Sequence, residues 1–351
     1  VRNLDTGTAL QISADFIVGC DGARSLVRKA IDANLQGTPI IQRVQSTCIR
    51  APQLLGMLPG KHAWMYLSLN PRRCGTVIAI DGSETWLIHN HLYEGEPEFD
   101  SIDRDWAIRT ILGVGPDFQY EVVSMEDWTG RRLVADRFRD RRAFIAGDAA
   151  HLWMPYAGYG MNAGIADAMD LSWMLAAVLK GWAPESLLDA YERERQPITE
   201  QVSKFAMEMA LNNMRQRKST PPEVESEGPE GDAARARVGK EAYDLNVHQY
   251  CCGGLNFGYF YSQSPVIAYD GGEHPKYTMY EFTPSTVPGC RAPHVFLADG
   301  SSLYDALGPD YSLLRFDPAV NVGGLVQAAA SRGVPLKVVD VPMEAVRDLY
   351  P

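Results

Sequence analysis

Cysteine is scarce in this 351-residue chain: six residues, at 20, 48, 74, 251, 252 and 290, with no CxxC spacing. Their number and spacing exclude a disulfide-dense scaffold and a paired-cysteine metal site, and the thiols read as reduced packing residues. Cys251 and Cys252 are adjacent, and neighbours in sequence rarely reach disulfide geometry. An excess of positive charge is also lacking: 33 Lys and Arg stand against 44 Asp and Glu, a formal net charge of -11. That argues against a general binder of phosphate backbones, which needs basic stripes to displace counterions. No run approaches the roughly 18 apolar residues of a spanning helix. The start, "VRNLDTGTAL", has no signal-peptide core. The chain therefore reads as cytoplasmic, with neither nucleic acid nor membrane among its partners. It also lacks a GxGxxG fingerprint near its start, and Val1 falls inside what reads as a strand pair around a turn at Asp5-Thr6-Gly7, so a further unit is expected upstream.

What is present is ordinary globular material, 46% hydrophobic and 22% charged, enough for two or three domains. "ADFIVGCDG" reads as a buried strand, and Ser25 to Ile31 as a short helix. From Val44 to His91 the runs "AWMYLSL", "GTVIAI" and "TWLIHNHL" alternate, which signals an antiparallel sheet. Asp103 to Leu112 reads as a helix, "YEVVSMEDW" as a strand, and "RAFIAGD" as a buried strand of a parallel sheet. A helix over Ala163 to Lys180 puts Ile165, Met169 and Trp173 on one face, with Gly181 as its C-terminal cap. Pro184 suits the first turn of a further helix carrying Leu187, Leu188 and Tyr191. Lys218 to Gly239, rich in Pro, Glu and Gly, reads as a mobile surface loop. In the last seventy residues "HVFLADG", "YSLLRFD" and "LKVVDV" read as strands, with a helix over "GGLVQAAASRG" before the third.

Two stretches carry candidate chemistry. In "FIAGDAAHLWMPYAGYGMNAGIADA" a buried strand ends in Gly147-Asp148, which delivers a carboxylate to the sheet's carboxyl edge, where open α/β folds bind ligands. Gly158, Gly160 and Gly164 then let backbone approach a ligand, and the free N–H groups of the helix entrance favour partial negative charge. In "FIVGCDGARSLVRKAI" a second strand ends in Asp21-Gly22 before a helix whose first turns hold Arg24, Ser25 and Arg28. Each stretch alone is also compatible with a simple strand-to-helix connection. His151 lacks companion ligands for a metal.

Together the two stretches resemble the Asp-Gly and Gly-Asp motifs of the class A flavoprotein aromatic hydroxylases. "GCRAPHVFLADGSSLYDALGPDYSLLRFD" resembles the start of the thioredoxin-like domain in their phenol hydroxylase and 3-(3-hydroxyphenyl)propionate hydroxylase branch. The resemblance implies an α/β fold: an FAD-binding, Rossmann-like domain of the para-hydroxybenzoate hydroxylase type with an inserted antiparallel sheet, then an incomplete thioredoxin-like domain. The segments would be 1–40 and 136–217 for FAD binding, 41–135 for the substrate sheet, 218–281 as loop and connection, and 282–351 as the last domain.

By the same resemblance, Asp148 would take the ribityl chain. Pro155 and the backbone of Gly158, Gly160, Met161 and Asn162 would line the flavin ring, and Asp21, Gly22 and Arg24 would lie near the pyrophosphate and the nicotinamide nucleotide. The implied activity is FAD-dependent hydroxylation of a phenolic or other aromatic substrate with NADPH or NADH and O2, through a flavin C4a-hydroperoxide. Tyr156 is the first candidate for substrate contact and His89 the second catalytic candidate, with His91, Trp64 and Trp86 as further roof residues. On a regular strand, 89 and 91 share the face opposite 86. A homodimer is the expected assembly. Two alternatives stay open: a truncated, non-catalytic homologue acting as a binding module, and an FAD enzyme that oxidises a polycyclic natural product.

Overall fold

The computed structural model describes residues 1–58, 60–342, 346 and 348–350. Near the N-terminus only the bridge Arg2–Ala9 closes around the expected turn. β1 (Ile17–Gly19) leads into α1 (Leu26–Ala30), where the Ser25 hydroxyl caps the helix by accepting from the Arg28 N–H at 2.9 Å. The chain continues through β2 (Leu35–Arg50), the one-turn α2 (Leu54–Met57), β3 (Met65–Ser68), β4 (Gly75–Ala79), β5 (Thr85–His91), α3 (Arg104–Leu112), β6 (Glu121–Met125) and β7 (Trp128–Ala135). Next come β8 (Arg139–Asp140), β9 (Ala143–Ile145) and β10 (His151–Leu152).

Two sheets result. In the smaller, β9 lies between β1 and β8 and is parallel to β1, with Val18 opposite Phe144. The larger is antiparallel in the order β10-β7-β2-β5-β4-β3, with β6 also paired to β2. Its strands β2 to β7 are inserted in the chain between the two parallel strands, and β10 returns to its edge after β9, the α/β arrangement expected from the motifs. β2 crosses the expected 40/41 junction unbroken, with a register shift between Thr38 and Gln42.

Strand alternation gives the large sheet two different faces. Pairing of Val44 with His91, Ser46 with His89 and Val44 with Trp128 puts these side chains on one face. Trp86, Ile88, Ile49 and Val77 occupy the other, sealed by Ile108 and Ile111 of α3. Trp86 is therefore core, its indole donating to the Ala51 carbonyl at 3.3 Å, and roofs no ring; Trp64 is 62% exposed just before β3.

The small sheet is buried by α4 (Tyr159–Leu179) and α5 (Asp189–Lys218). Phe144, Ile145, Leu171, Met174, Leu188 and Tyr191 share this core, and each such side chain contributes about 1.5–3 kcal/mol by leaving water. α4 begins four residues earlier than its apolar period suggests, and the face it buries is Ala163, Asp167, Leu171, Met174 and Ala177. Ile165 and Met169, at 53% and 67% exposure, lie on the open side. Gly181 has φ +78, as a C-terminal cap requires.

The expected mobile loop at Lys218 to Gly239 is instead a tight turn over Pro222–Glu225 followed by α6 (Gly228–Tyr250). Its Pro and Gly are concentrated before or within the first turn, where Pro229 is tolerated, and the run "DAARARV" behind them favours helix. Arg235 pins the turn by donating to the carbonyls of Val224 and Ser226, both at 2.9 Å.

At the C-terminal end the one-turn α7 (Leu303–Ala306), β11 (Tyr311–Arg315), α8 (Gly323–Ser331) and β12 (Leu336–Asp340) form a small unit in which the two strands are parallel. "HVFLADG" contributes only the bridge Phe296–Ser302 rather than a strand. Residues 343–345, 347 and 351 of the expected 282–351 domain lie outside the described residues.

Candidate active site

The Gly-Asp turn is held from beneath by a buried ion cluster. The Asp167 side chain, 0% exposed, accepts from the Gly147 N–H at 3.1 Å, from His151 Nε2 at 2.8 Å and from Arg195 Nε at 2.9 Å. Burial would raise this carboxyl, yet His151 and Arg195 outweigh it and hold it below the ordinary aspartate range. A little farther along α4, Asp170 meets Glu194 of α5. Burial, reinforced by the neighbouring Glu194 charge, pushes Asp170 up to about 8, and the Glu194 carboxyl takes a hydrogen bond from the Ser264 hydroxyl.

Gly147, at φ +58, lets the chain turn after β9, and its Cα is so near Gly164 that a Cβ on the latter would stand 3.3 Å away. The helix entrance thus lies backbone to backbone on the turn. α4 starts after Gly158, at φ +65, with no side-chain cap and no acidic residue in its first turn. Its N–H groups remain available to a partner with partial negative charge. Asp148 stands exposed beside them, with no side-chain hydrogen bond among the described residues.

Three separated segments converge here. Arg24 from the Asp-Gly turn, Asp148 from the Gly-Asp turn and Gly160 from the helix entrance line one cleft of about 510 Å³. The sheet and the β10 segment complete the wall with Asp127, Trp128, Arg131, His151 and Trp153. The Trp153 indole N–H is buried without a hydrogen-bond partner, and its side chain stacks on His151 at 4.5 Å between ring centroids.

The other expected residues border this lining without entering it. The Asp21 carboxylate accepts from the backbone N–H of Leu26 at 2.7 Å and Val27 at 3.2 Å, so it caps α1 rather than lining the cleft. Gly22, at φ +77, makes the turn that allows this. Pro155, Gly158, Met161 and Asn162 stay at the helix entrance outside the cleft lining. Met161 is 76% exposed, and Asn162 donates to the Gly158 carbonyl at 2.8 Å. Tyr156 packs beside the cluster of Phe205, Cys252 and Leu255.

His89 sits on the face of the sheet opposite α3, 2.7 Å from the Ser46 hydroxyl and edge-on to Trp128 at 6.0 Å. Burial pushes it down to about 4. His91 is buried, with Nε2 3.3 Å from the Thr76 hydroxyl. Trp128, Trp153, Asp127 and Arg131 were not anticipated. The signal was there in "EDWTGRR" and "HLW", polar and aromatic residues mixed at strand ends, but nothing local says that these ends face the Gly-Asp turn.

The donor set suits a flavin nucleotide: a free carboxylate for hydroxyl groups, an uncapped helix entrance for a polarised carbonyl, an arginine for phosphate and an unsatisfied indole N–H. Residues 1–206 match the family described as FAD binding domain. The FAD-dependent monooxygenase opdD of Penicillium oxalicum is 30% identical over 98% of this chain and 69% of its own length. Aklavinone 12-hydroxylase RdmE of Streptomyces purpurascens is 30% identical over 97% of this chain and 61% of its own. Among solved structures, the rebeccamycin biosynthetic enzyme RebC with reduced flavin aligns at a TM-score of 0.86 with 31% identity, covering 99% of this chain and 64% of that one. The chain spans between 61% and 69% of the length of these relatives.

Proposed function

This chain belongs to the FAD binding domain family of flavin-dependent hydroxylases, and from that membership we propose that the protein hydroxylates an aromatic substrate, preferentially the phenolic ring of a fused-ring system that can also carry a quinone, with NADPH or NADH and O2. The observation that carries the reading is the convergence of Arg24, Asp148 and Gly160 on one cleft walled by Trp128 and Trp153. Bound FAD would supply the redox chemistry, taking a hydride from the nicotinamide and delivering one oxygen atom to an electron-rich ring. The chain's own residues would position and shield. Asp148 would accept from ribityl hydroxyls. The α4 entrance would face the polar edge of the flavin ring, and Arg24 would sit toward the phosphates. The buried Asp167–Arg195–His151 cluster fixes the turn that carries Asp148, a rigid support for a charged contact. The two indoles keep water from one side of the cleft, which favours productive transfer over loss of peroxide.

The fused-ring preference rests on what RdmE and RebC are named for, together with the partly exposed Met65, Ile78 and Leu87 on the sheet face that carries His89. The measurement is flavin absorbance and substrate-stimulated NAD(P)H oxidation in the intact gene product supplied with FAD. A protein that retains no flavin and shows no stimulation by any aromatic substrate would sink the proposal.

A further inference from the structure

Ser46 joins two side chains that face the same side of the sheet. The Trp128 indole, which can only donate, gives its N–H to Ser46 Oγ at 2.8 Å. Ser46 Oγ is in turn 2.7 Å from His89 Nδ1. With one lone pair of the hydroxyl taken by the indole, the arrangement that uses every group has Ser46 donating its own proton to Nδ1. Were Nδ1 protonated, it would donate to the second lone pair of the same oxygen and leave the serine proton without an acceptor among the described residues. Ser46 is buried, where such an orphan costs about 1–3 kcal/mol. The ring proton therefore sits on Nε2, which no described residue accepts from, and the ring is only partly buried.

The surroundings say what meets that N–H. Strand pairing sets Thr76 opposite His89 and Ile78 opposite Leu87, with Met65 opposite Ile78, so the sheet beyond the imidazole presents Ile78, Leu87 and Met65 on the same face. All three are partly exposed. The Tyr250 hydroxyl reaches Met65 Sδ at 3.9 Å from the helical side. A flat apolar surface ending in one N–H donor, next to a cleft wall shared through Trp128, fits a fused aromatic ring bearing an oxygen acceptor.

We propose that His89 contacts the substrate as a hydrogen-bond donor through Nε2–H, to a carbonyl or quinone oxygen of a fused-ring aromatic, and that Ser46 and Trp128 are positioning residues that fix this tautomer. His89 is then not the base that draws off a phenolic proton. Its low proton affinity, caused by burial, agrees with a ring that stays neutral at working pH. The proposal rests on the aromatic-substrate reading above and assigns the part of the ligand that His89 reads.

The test uses the intact, FAD-loaded protein in two measurements. In protein labelled with 15N-histidine, the His89 nitrogens report the tautomer directly: Nε2 protonated in the wild type, and a loss of that preference in Ser46→Ala. Binding of 2-hydroxyanthraquinone and of 2-hydroxyanthracene, which differ in the quinone carbonyls, is then followed by ligand fluorescence. His89→Leu is expected to weaken the anthraquinone about tenfold while leaving the anthracene within about twofold, and His89→Gln, which restores an N–H, to recover most of the loss. An Nδ1-protonated wild type, equal losses for both ligands, no rescue by glutamine, or no binding of the anthraquinone would overturn the proposal. Discrimination between the ligands without any stimulated NAD(P)H oxidation would keep the donor role and remove the hydroxylase reading instead.

Discussion

Asp148 and Asp167 are both carboxylates near one turn, and their surroundings assign them opposite work. Asp148 is exposed and without a side-chain hydrogen bond, so Asp148→Ala should leave thermal stability unchanged while weakening FAD at least tenfold in a flavin fluorescence titration, the loss of a charge-assisted hydrogen bond. Asp167→Asn should do the reverse first, unfolding the protein at lower urea by about 3–5 kcal/mol, because Arg195 is left buried without its counter-charge. Since the folded carboxyl of Asp167 lies below its unfolded value of about 4, its stabilisation is complete above that pH and disappears as the pH falls through the folded value. Asp170 has the opposite sign. Raised to about 8 in the folded state, it binds a proton there that the unfolded chain has released above about pH 4, so stability declines between those two values as pH rises. Asp170→Asn should flatten that decline in urea midpoints measured from pH 5 to 8; an unchanged slope would show that the Asp170–Glu194 pair does not hold the proton.

At the scale of elements, the sheet depends on places where backbone touches backbone. Gly37, at φ +135, pairs β2 with β7 where a Cβ would stand 2.2 Å from the Arg132 carbonyl oxygen. No rotamer relieves a clash with main chain, so Gly37→Ala should lower the melting temperature markedly, whereas Gly56→Ala, with open space around it, should not. The elements with the clearest sequence pattern agree with the structure: α1, α3, β9 and the alternating strands β3 to β5, with Ser25 and Asp103 as caps rather than as first helical residues. α6 does not, because Pro, Glu and Gly were weighed as composition. Their position matters more, since Pro229 lies in the first turn, where its lost N–H is no cost, and Ala234 and Val238 find cover behind it. The stripe Ile165, Met169 and Trp173 expected on α4 divides: Trp173 packs against the core while Ile165 and Met169 stay exposed, because four-residue steps mark a face without saying what meets it.

Over the whole molecule, cohesion is uneven. The core around β9, α4 and α5 gathers sixteen buried side chains, while α8 buries none and β11–β12 is a two-stranded pair. Hydrogen exchange should therefore expose the amides of 311–340 well before those of 143–177; simultaneous exchange would mean that the C-terminal unit unfolds only with the rest. Among the described residues no helix is long and apolar enough to cross a membrane. The sequence by itself determined the chemistry of the cleft's floor, because an Asp at a strand end and glycines at a helix entrance are local requirements of backbone geometry and need only neighbours in the chain. It also determined that residues 89 and 91 oppose 86, because strand alternation is local too. Only the tertiary structure decided that Trp128 and Trp153 wall the cleft, that Asp21 turns to cap α1, and that Ser46 orients His89. The Ser46 contacts join residues 43 and 82 positions apart, Trp128 and Trp153 meet Arg24 from beyond most of the inserted sheet in the chain, and no periodicity or motif encodes which strand register brings them together.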